Sequence, residues 1–292
     1  MSNSTRELPF NEIPERLMEI PEPPEKLYIQ GEMPKSDAKF LCVVGSRKYT
    51  DYGKEACQKL IAGLRGYNIV IVSGLALGID GIAHRAALDA GLTTIAIPGS
   101  GLHPSVLYPS SNKQLAAKII ESGGALLSEF EPMFRATAYS FPQRNRIMAG
   151  ISHATLIIEA EIKSGTLITS RLATDYNRDV MAVPGSIFSK NSEGPNMLIR
   201  LGATPVSSSS HILEVLGFKI EEDKITKELE LKNLSDDERK VFALIKNPLG
   251  RDELIRELAK SGMSVGNSSA LLSIMEIKGL IEEKLGEIGL RL

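Results

Sequence analysis

From Lys39 onward the chain alternates short apolar runs with longer stretches of amphipathic spacing. The runs are Phe40–Val44, Ile69–Val72, Thr93–Ile97, Ala125–Ser128, Thr155–Ile158 and Val180–Val183. They contain few polar positions, as expected of strands covered on both faces of a parallel sheet. Between them, apolar residues at helical spacing predict helices at Tyr52–Leu64, Ile79–Ala90, Asn112–Glu121 and Leu167–Tyr176. Strand–helix alternation implies right-handed crossovers, and so an α/β fold with a doubly wound, mostly parallel sheet.

The flanks read differently. Residues 1–37 are rich in proline and glutamate and hold at most one short helix near Ile13–Ile20, so they form an N-terminal arm laid on the main domain. The main domain spans 38–217, and the charged stretch 218–233 is a linker. Residues 234–292 open with Ser235-Asp-Asp-Glu238, a capping box in which serine and glutamate satisfy each other's exposed amides. Helices are expected at Asp236–Ile245, Asp252–Leu258 and Asn267–Lys278, with Gly279 as C′ residue. Leu280–Lys284 and Ile288–Leu292 read as a small wing. Three helices and a wing make a winged-helix domain.

Bulk composition narrows the class. The chain has 292 residues, 42% of them apolar, and neither a membrane-length apolar stretch nor a signal-peptide core. Its two cysteines, Cys42 and Cys57, form no CxxC pair, which fits a reduced cytoplasmic protein without structural metal or cofactor. A net charge of −2 disfavours a general nucleic-acid binder, because phosphate neutralisation needs cations. A nucleic-acid site would therefore have to gather its positive charge locally.

The strand tips show where that charge can gather, since helix N-termini there present free amides to ligands. The first strand leads into Gly45-Ser46-Arg47-Lys48, which lacks the second glycine of a dinucleotide loop. Arg47 is suited to grip a phosphate, a surface ion pair being the plain alternative. Gly74 and Gly78 shape the next turn, where close packing is the plain reading; Asp80 follows as a helix cap or a partner for an arginine. The third strand leads to Pro98-Gly-Ser-Gly101 and to Tyr108, which can stack or simply pack, packing being the favoured reading. In Phe141-Pro-Gln-Arg144-Asn145-Arg146, two arginines near a helix start oppose the helix dipole. Either they bind an anion or they pair with carboxylates such as Glu129 and Glu131. Phe141 is a hydrophobic staple or a stacking platform of the kind single-strand binders use. Lys163-Ser164-Gly165-Thr166 caps another helix and offers an anion site. His84, His103, His153 and His211 show no metal-ligand spacing, and no GxSxG, Walker or HExxH motif is present.

Taken in order and spacing, these stretches resemble the bacterial DNA-processing protein A (DprA, or Smf) family. The resemblance runs from Leu27 to Gly202 through Gly45-Ser-Arg47, Ser73–Asp80, Tyr108-Pro109 with Asn112, Phe141–Gly150, Ser164–Thr169, Val183–Gly185 and Gly194–Asn196. It implies an extended Rossmann-like fold that dimerises, binds single-stranded DNA, protects incoming DNA and helps load RecA in natural transformation, with no catalysis. The DNA-binding residues it implies, together with the tip residues above, are Ser46, Arg47, Gly74, Phe141, Arg144, Asn145, Arg146, Lys163, Ser164, Gly165 and Thr166. Ala138 departs from a basic residue often found three positions before the aromatic, with Arg135 a nearby substitute. The rival reading is a nucleotide phosphoribohydrolase-like enzyme on a related fold, whose PGGxGTxxE signature is not assembled here.

Overall fold

An apolar run buried on both faces sends alternate residues into two different cores, and the central strand does so. In the computed structural model, which describes residues 4–34, 37–218, 234–245, 249–278, 280–284 and 286–290, Leu41 and Val43 join one cluster while Phe40, Cys42 and Val44 join another. The chain divides into two units, Met1–Ile220 and Glu221–Leu292.

The first unit runs β1 (Arg6–Glu7), α1 (Glu15–Met18), β2 (Tyr28–Gly31), β3 (Lys39–Val44), α2 (Asp51–Ala62), β4 (Ile69–Ser73), α3 (Ile79–Asp89), β5 (Thr93–Ala96), α4 (Lys113–Glu121), β6 (Ala125–Ser128), α5 (Ser140–Ile151), β7 (Ala154–Ile157), α6 (Thr166–Asp175), β8 (Asp179–Ala182), α7 (Lys190–Arg200), β9 (Thr204–Pro205) and α8 (Ser209–Val215). Its sheet has nine strands in the order β1-β2-β6-β5-β4-β3-β7-β8-β9. The pairs from β6 to β9 are parallel, while β2 pairs antiparallel with β6 and β1 with β2. The six apolar runs all form strands.

The arm does more than lie on the domain. It supplies the two antiparallel edge strands, and its Leu8, Leu17, Ile20, Leu27 and Ile29 enter the same core as Phe40 and Ile147. A four-residue strand in an arm punctuated by prolines gives too short an alternation to be legible as sequence.

Topology fixes where a ligand can sit. From β3 the chain steps outward through β4, β5 and β6, then returns to the other side of β3 to place β7, β8 and β9. Connections leave β3 and its neighbour β7 in opposite directions, so a crevice opens at their carboxyl ends. The register Val44↔Ile157 brings both tips to one level.

In the second unit, α9 (Asp236–Leu244), β10 (Leu249–Gly250), α10 (Arg251–Lys260), α11 (Val265–Ile277), β11 (Ile281–Lys284) and β12 (Glu287–Leu290) follow in order. The three strands form an antiparallel sheet, β10-β12-β11. The capping box is formed: the Ser235 amide donates to Glu238 Oε2 at 2.7 Å, and Ser235 Oγ accepts from the Glu238 amide at 3.3 Å. Val241, Leu254, Leu258, Leu272, Met275, Ile281 and Ile288 make a separate core. Gly279 and residues 219–233 of the expected linker lie outside the described residues.

Candidate nucleic-acid interface

At the β3–β7 crevice lies an open cleft of about 500 Å³, and most of the expected site residues line it. Ser46, Arg47, Phe141, Arg144, Asn145, Lys163, Ser164, Gly165 and Thr166 are among its walls, with Lys48, Asp80 and Glu161. Cations thus outnumber carboxylates here although the whole chain carries a net −2.

The loop after β3 is shaped from beneath. Ser46 Oγ accepts from the Lys48 amide at 3.0 Å, and the Ser46 carbonyl accepts from the Ile79 amide at 3.2 Å. Arg47 therefore leaves a fixed turn, and its guanidinium carbon stands 5.3 Å from the centroid of the Phe141 ring. That is a cation–π arrangement in which both groups still face solvent. Among the described residues neither Arg47 nor Lys163 enters an ion pair, so their charge remains available to an anion.

Phe141 sits where it does because residue 99 has no side chain: a Cβ there would lie 2.7 Å from the ring. The ring then also meets Tyr108, centroid to centroid 5.6 Å with planes inclined by 54°. Tyr108 is 46% exposed. The sequence leaves it between stacking and packing, with packing favoured, and its exposure beside Phe141 keeps a ring face open.

Helix α5 begins at Ser140, not at the arginines. Ser140 Oγ donates to the Gly99 carbonyl at 2.5 Å and so ties the helix start to the β5 tip. Arg144 and Arg146 fall in its second turn, where the dipole argument for an anion site no longer applies. Their fates differ. Arg144 is buried at 5% exposure in the cleft wall, donating to the Ile97 carbonyl at 2.5 Å. Its Nε has no hydrogen-bond partner among the described residues. Burial draws its pKa down, with Asp80 opposing; burial likewise raises Asp80, with Arg144 as the main opposing charge. Asp80 also accepts from the Gly74 amide at 3.1 Å.

Arg146 is a different case. It turns away from the cleft to Glu129, 2.5 Å between Nη2 and Oε2, and to the Glu22 carbonyl. A carboxylate 17 residues earlier, on another element, has claimed it. Of the two readings the sequence allowed for Arg146, the structure has the carboxylate pair, and Arg146 is not among the residues that line the cleft. Gly74 is not among the cleft-lining residues either; it works from behind, since any side chain there would run into the Arg144 guanidinium. Arg135 and Ala138 are exposed, and neither lines the cleft.

On the β7 side, the Thr166 amide donates to Ser164 Oγ at 3.2 Å, and Thr166 Oγ1 reaches across to the Gly45 carbonyl at 3.1 Å. The start of α6 is thereby fixed against the β3 loop, with Gly165 and Lys163 facing outward. Behind it, the buried Glu159 carboxylate holds the α2 N-terminus: it accepts from Thr50 N at 2.9 Å and from Thr50 Oγ1 at 2.5 Å. Asn191 Nδ2 adds a bond to the Lys48 carbonyl at 2.7 Å. Among the described residues no group of histidine, cysteine and carboxylate side chains is arranged to hold a metal ion. No helix among them is long and apolar enough to cross a membrane.

A fixed cleft carrying unpaired cations beside a tilted pair of aromatic rings is what the comparisons with known proteins bear upon. The family model described as DNA recombination-mediator protein A matches residues 9–217. The chain belongs to that family. Protein Smf of Escherichia coli is 42% identical over 205 residues, covering 70% of this chain and 54% of that protein, so the chain spans about half of that relative's length. The DNA processing protein DprA of Streptococcus pneumoniae is 41% identical over 202 residues, covering 69% of this chain and 70% of that one. Its crystal structure superposes with a TM-score of 0.66 over 74% of this chain and 75% of its own. DNA processing protein A from Helicobacter pylori, whose structure is described as showing a single-stranded DNA binding mode, gives 0.65 at 31% identity, over 73% of this chain and 95% of its own. The Rossmann-like fold of the family is thus the fold of the first unit.

Proposed function

We propose that the β3–β7 cleft binds single-stranded DNA without covalent chemistry. The observation that carries this reading is the pairing of Arg47 with Phe141, a free guanidinium over an aromatic face at the mouth of a cleft. Phosphates meet Arg47, Lys163 and the α6 start, Arg144 supplies positive potential from the wall, and a base meets Phe141. Such contacts are largely indifferent to sequence and sensitive to salt. The H. pylori relative's described binding mode supports the same ligand.

In the cell this activity protects incoming single strands and helps load RecA during transformation and recombination, the chain working as a homodimer in the cytoplasm. The family's description as a recombination mediator supports that role. The second unit, with its helix–strand–helix–helix–hairpin order, is a winged-helix domain that contributes little to single-strand affinity.

Titration of labelled oligothymidine against the wild type and Arg47→Ala at two salt concentrations tests the cleft. Weaker binding and a shallower salt dependence in the variant are expected; equal binding overturns the assignment. Sedimentation across a concentration series tests the dimer, and RecA filament assembly with and without the protein tests loading. No base is expected to be released from nucleoside monophosphates, which sets this reading against a phosphoribohydrolase.

A further inference from the structure

We propose that Tyr108 is a second stacking platform, taking the base next to the one on Phe141 and leading the strand out of the cleft across the β5 loop. This rests on the single-strand reading above. It extends the site beyond the cleft, because Tyr108 is not among the residues that line it.

The ring is held but not covered. Leu107 on one side of it in sequence is buried at 6%, and Pro109 on the other is buried too. The Tyr108 amide donates to Ser100 Oγ at 3.2 Å, and Ser100 is itself fully buried. The side chain nevertheless remains 46% exposed, and its hydroxyl makes no hydrogen bond among the described residues. A ring held at its backbone, tilted against Phe141 and left half-exposed keeps one aromatic face available for stacking.

Its orientation fits a track. Arg47, Phe141 and Tyr108 follow one another at 5.3 and 5.6 Å, as one row of cation and rings. The inclination of 54° keeps the two rings from sharing a single face, so each offers its own surface to a base. The backbone is fixed on the neighbouring side as well: Asn112 Nδ2 donates to the Leu75 carbonyl at 2.8 Å and to that of Ala76 at 3.1 Å. The β5 loop is thereby anchored to the turn that contributes Ala76 to the cleft wall. Two rigid rings in sequence-tolerant contact with successive bases are the ordinary apparatus of single-strand binders.

A short ligand with no base beyond the one on Phe141 never meets Tyr108, and that supplies the test. Affinities for thymidine monophosphate, as a competitor, and for labelled oligothymidine of about 20 nucleotides are measured by fluorescence anisotropy for wild type, Tyr108→Ala, Tyr108→Phe and Arg47→Ala. Tyr108→Ala is expected to lose roughly 5- to 100-fold on the long strand and to keep its affinity for the monophosphate. Tyr108→Phe should bind both as the wild type does. The chain has no tryptophan and 7 tyrosines, so its intrinsic emission reports tyrosine directly. Part of the quenching caused by the long strand should disappear in Tyr108→Phe although affinity persists. Unchanged long-strand binding by Tyr108→Ala, with Arg47→Ala impaired, overturns the track and leaves the cleft standing. Equal losses on the monophosphate and the long strand also overturn it, since the effect then comes from the cleft. Normal binding by Arg47→Ala as well as Tyr108→Ala overturns the single-strand reading itself.

Discussion

The cleft of the first unit and the described part of the second treat their positive charges in opposite ways. Among the second unit's described residues five cations are spent on carboxylates: Arg251 on Glu276 and Glu283, Lys278 on Glu238, Arg239 on Asp236, Lys240 on Asp237 and Lys260 on Glu257. At the cleft of the first unit, Arg47 and Lys163 have no such partner among the described residues, and Arg47 lies over an aromatic ring instead. Net charge therefore says little about affinity for phosphate. What matters is whether a cation has been neutralised within the fold, which also explains how a chain of net charge −2 presents a cationic cleft.

The sharpest way to break this contrast is to remove both unpaired cations. The double variant Arg47→Ala with Lys163→Ala should lose roughly 100-fold or more in single-strand affinity. Its slope of log affinity against log salt should be shallower by about two ion equivalents. An unchanged slope would mean that phosphates are gripped elsewhere. Phe141→Ala should weaken binding by roughly tenfold with the slope nearly intact, because stacking releases no counterions. Gly74→Ala acts indirectly. By driving Arg144 from its place it should cost about 1–3 kcal/mol of stability, read by denaturant unfolding, and several-fold in affinity. A fully stable, fully binding Gly74→Ala would show that the Arg144 position is immaterial.

Acid should separate the units too. Burial holds the His84 imidazole down at about 3, its Nδ1 2.7 Å from Thr94 Oγ1. The folded chain keeps it neutral, whereas the unfolded chain protonates it below about 6.5. Its contribution is therefore complete above that pH and declines as the pH falls toward 3. The melting temperature of the wild type should fall from pH 7 to pH 5 more steeply than that of His84→Gln, and parallel curves would refute the assignment. The second unit has no histidine and lacks this route. The smallest effect belongs to deletion of residues 234–292, which should change single-strand affinity by less than about threefold. Near-total loss would place the binding charge in the wrong unit.

How far the sequence revealed all this depends on the range of the interaction concerned. Strands β3 to β8 were legible because burial on both faces leaves an unbroken apolar run. β1 and β9 were not, being two residues long, and neither was β2, whose four residues lie in an arm punctuated by prolines. At the site, Arg47, Phe141 and the Ser164-Gly165-Thr166 turn could be read because topology sends strand tips to one edge of a parallel sheet. Arg146 could not be separated from Arg144 in the same way. Two residues apart in a helix, they point in different directions, and only the folded position of Glu129 decides which one is taken. Close packing at Gly74 could be read from its turn, but its packing partner, a guanidinium 70 residues away in the sequence, could not.

The buried Glu159 carboxylate has one further consequence. By bolting the start of α2 in place while Asn191 fastens the β3 loop, it settles the shape of the docking face during folding. A strand that arrives has little protein to order, so the conformational entropy lost on association falls chiefly on the flexible nucleic acid. Encounter rates should then be governed by diffusion and electrostatic steering rather than by slow rearrangement of the chain.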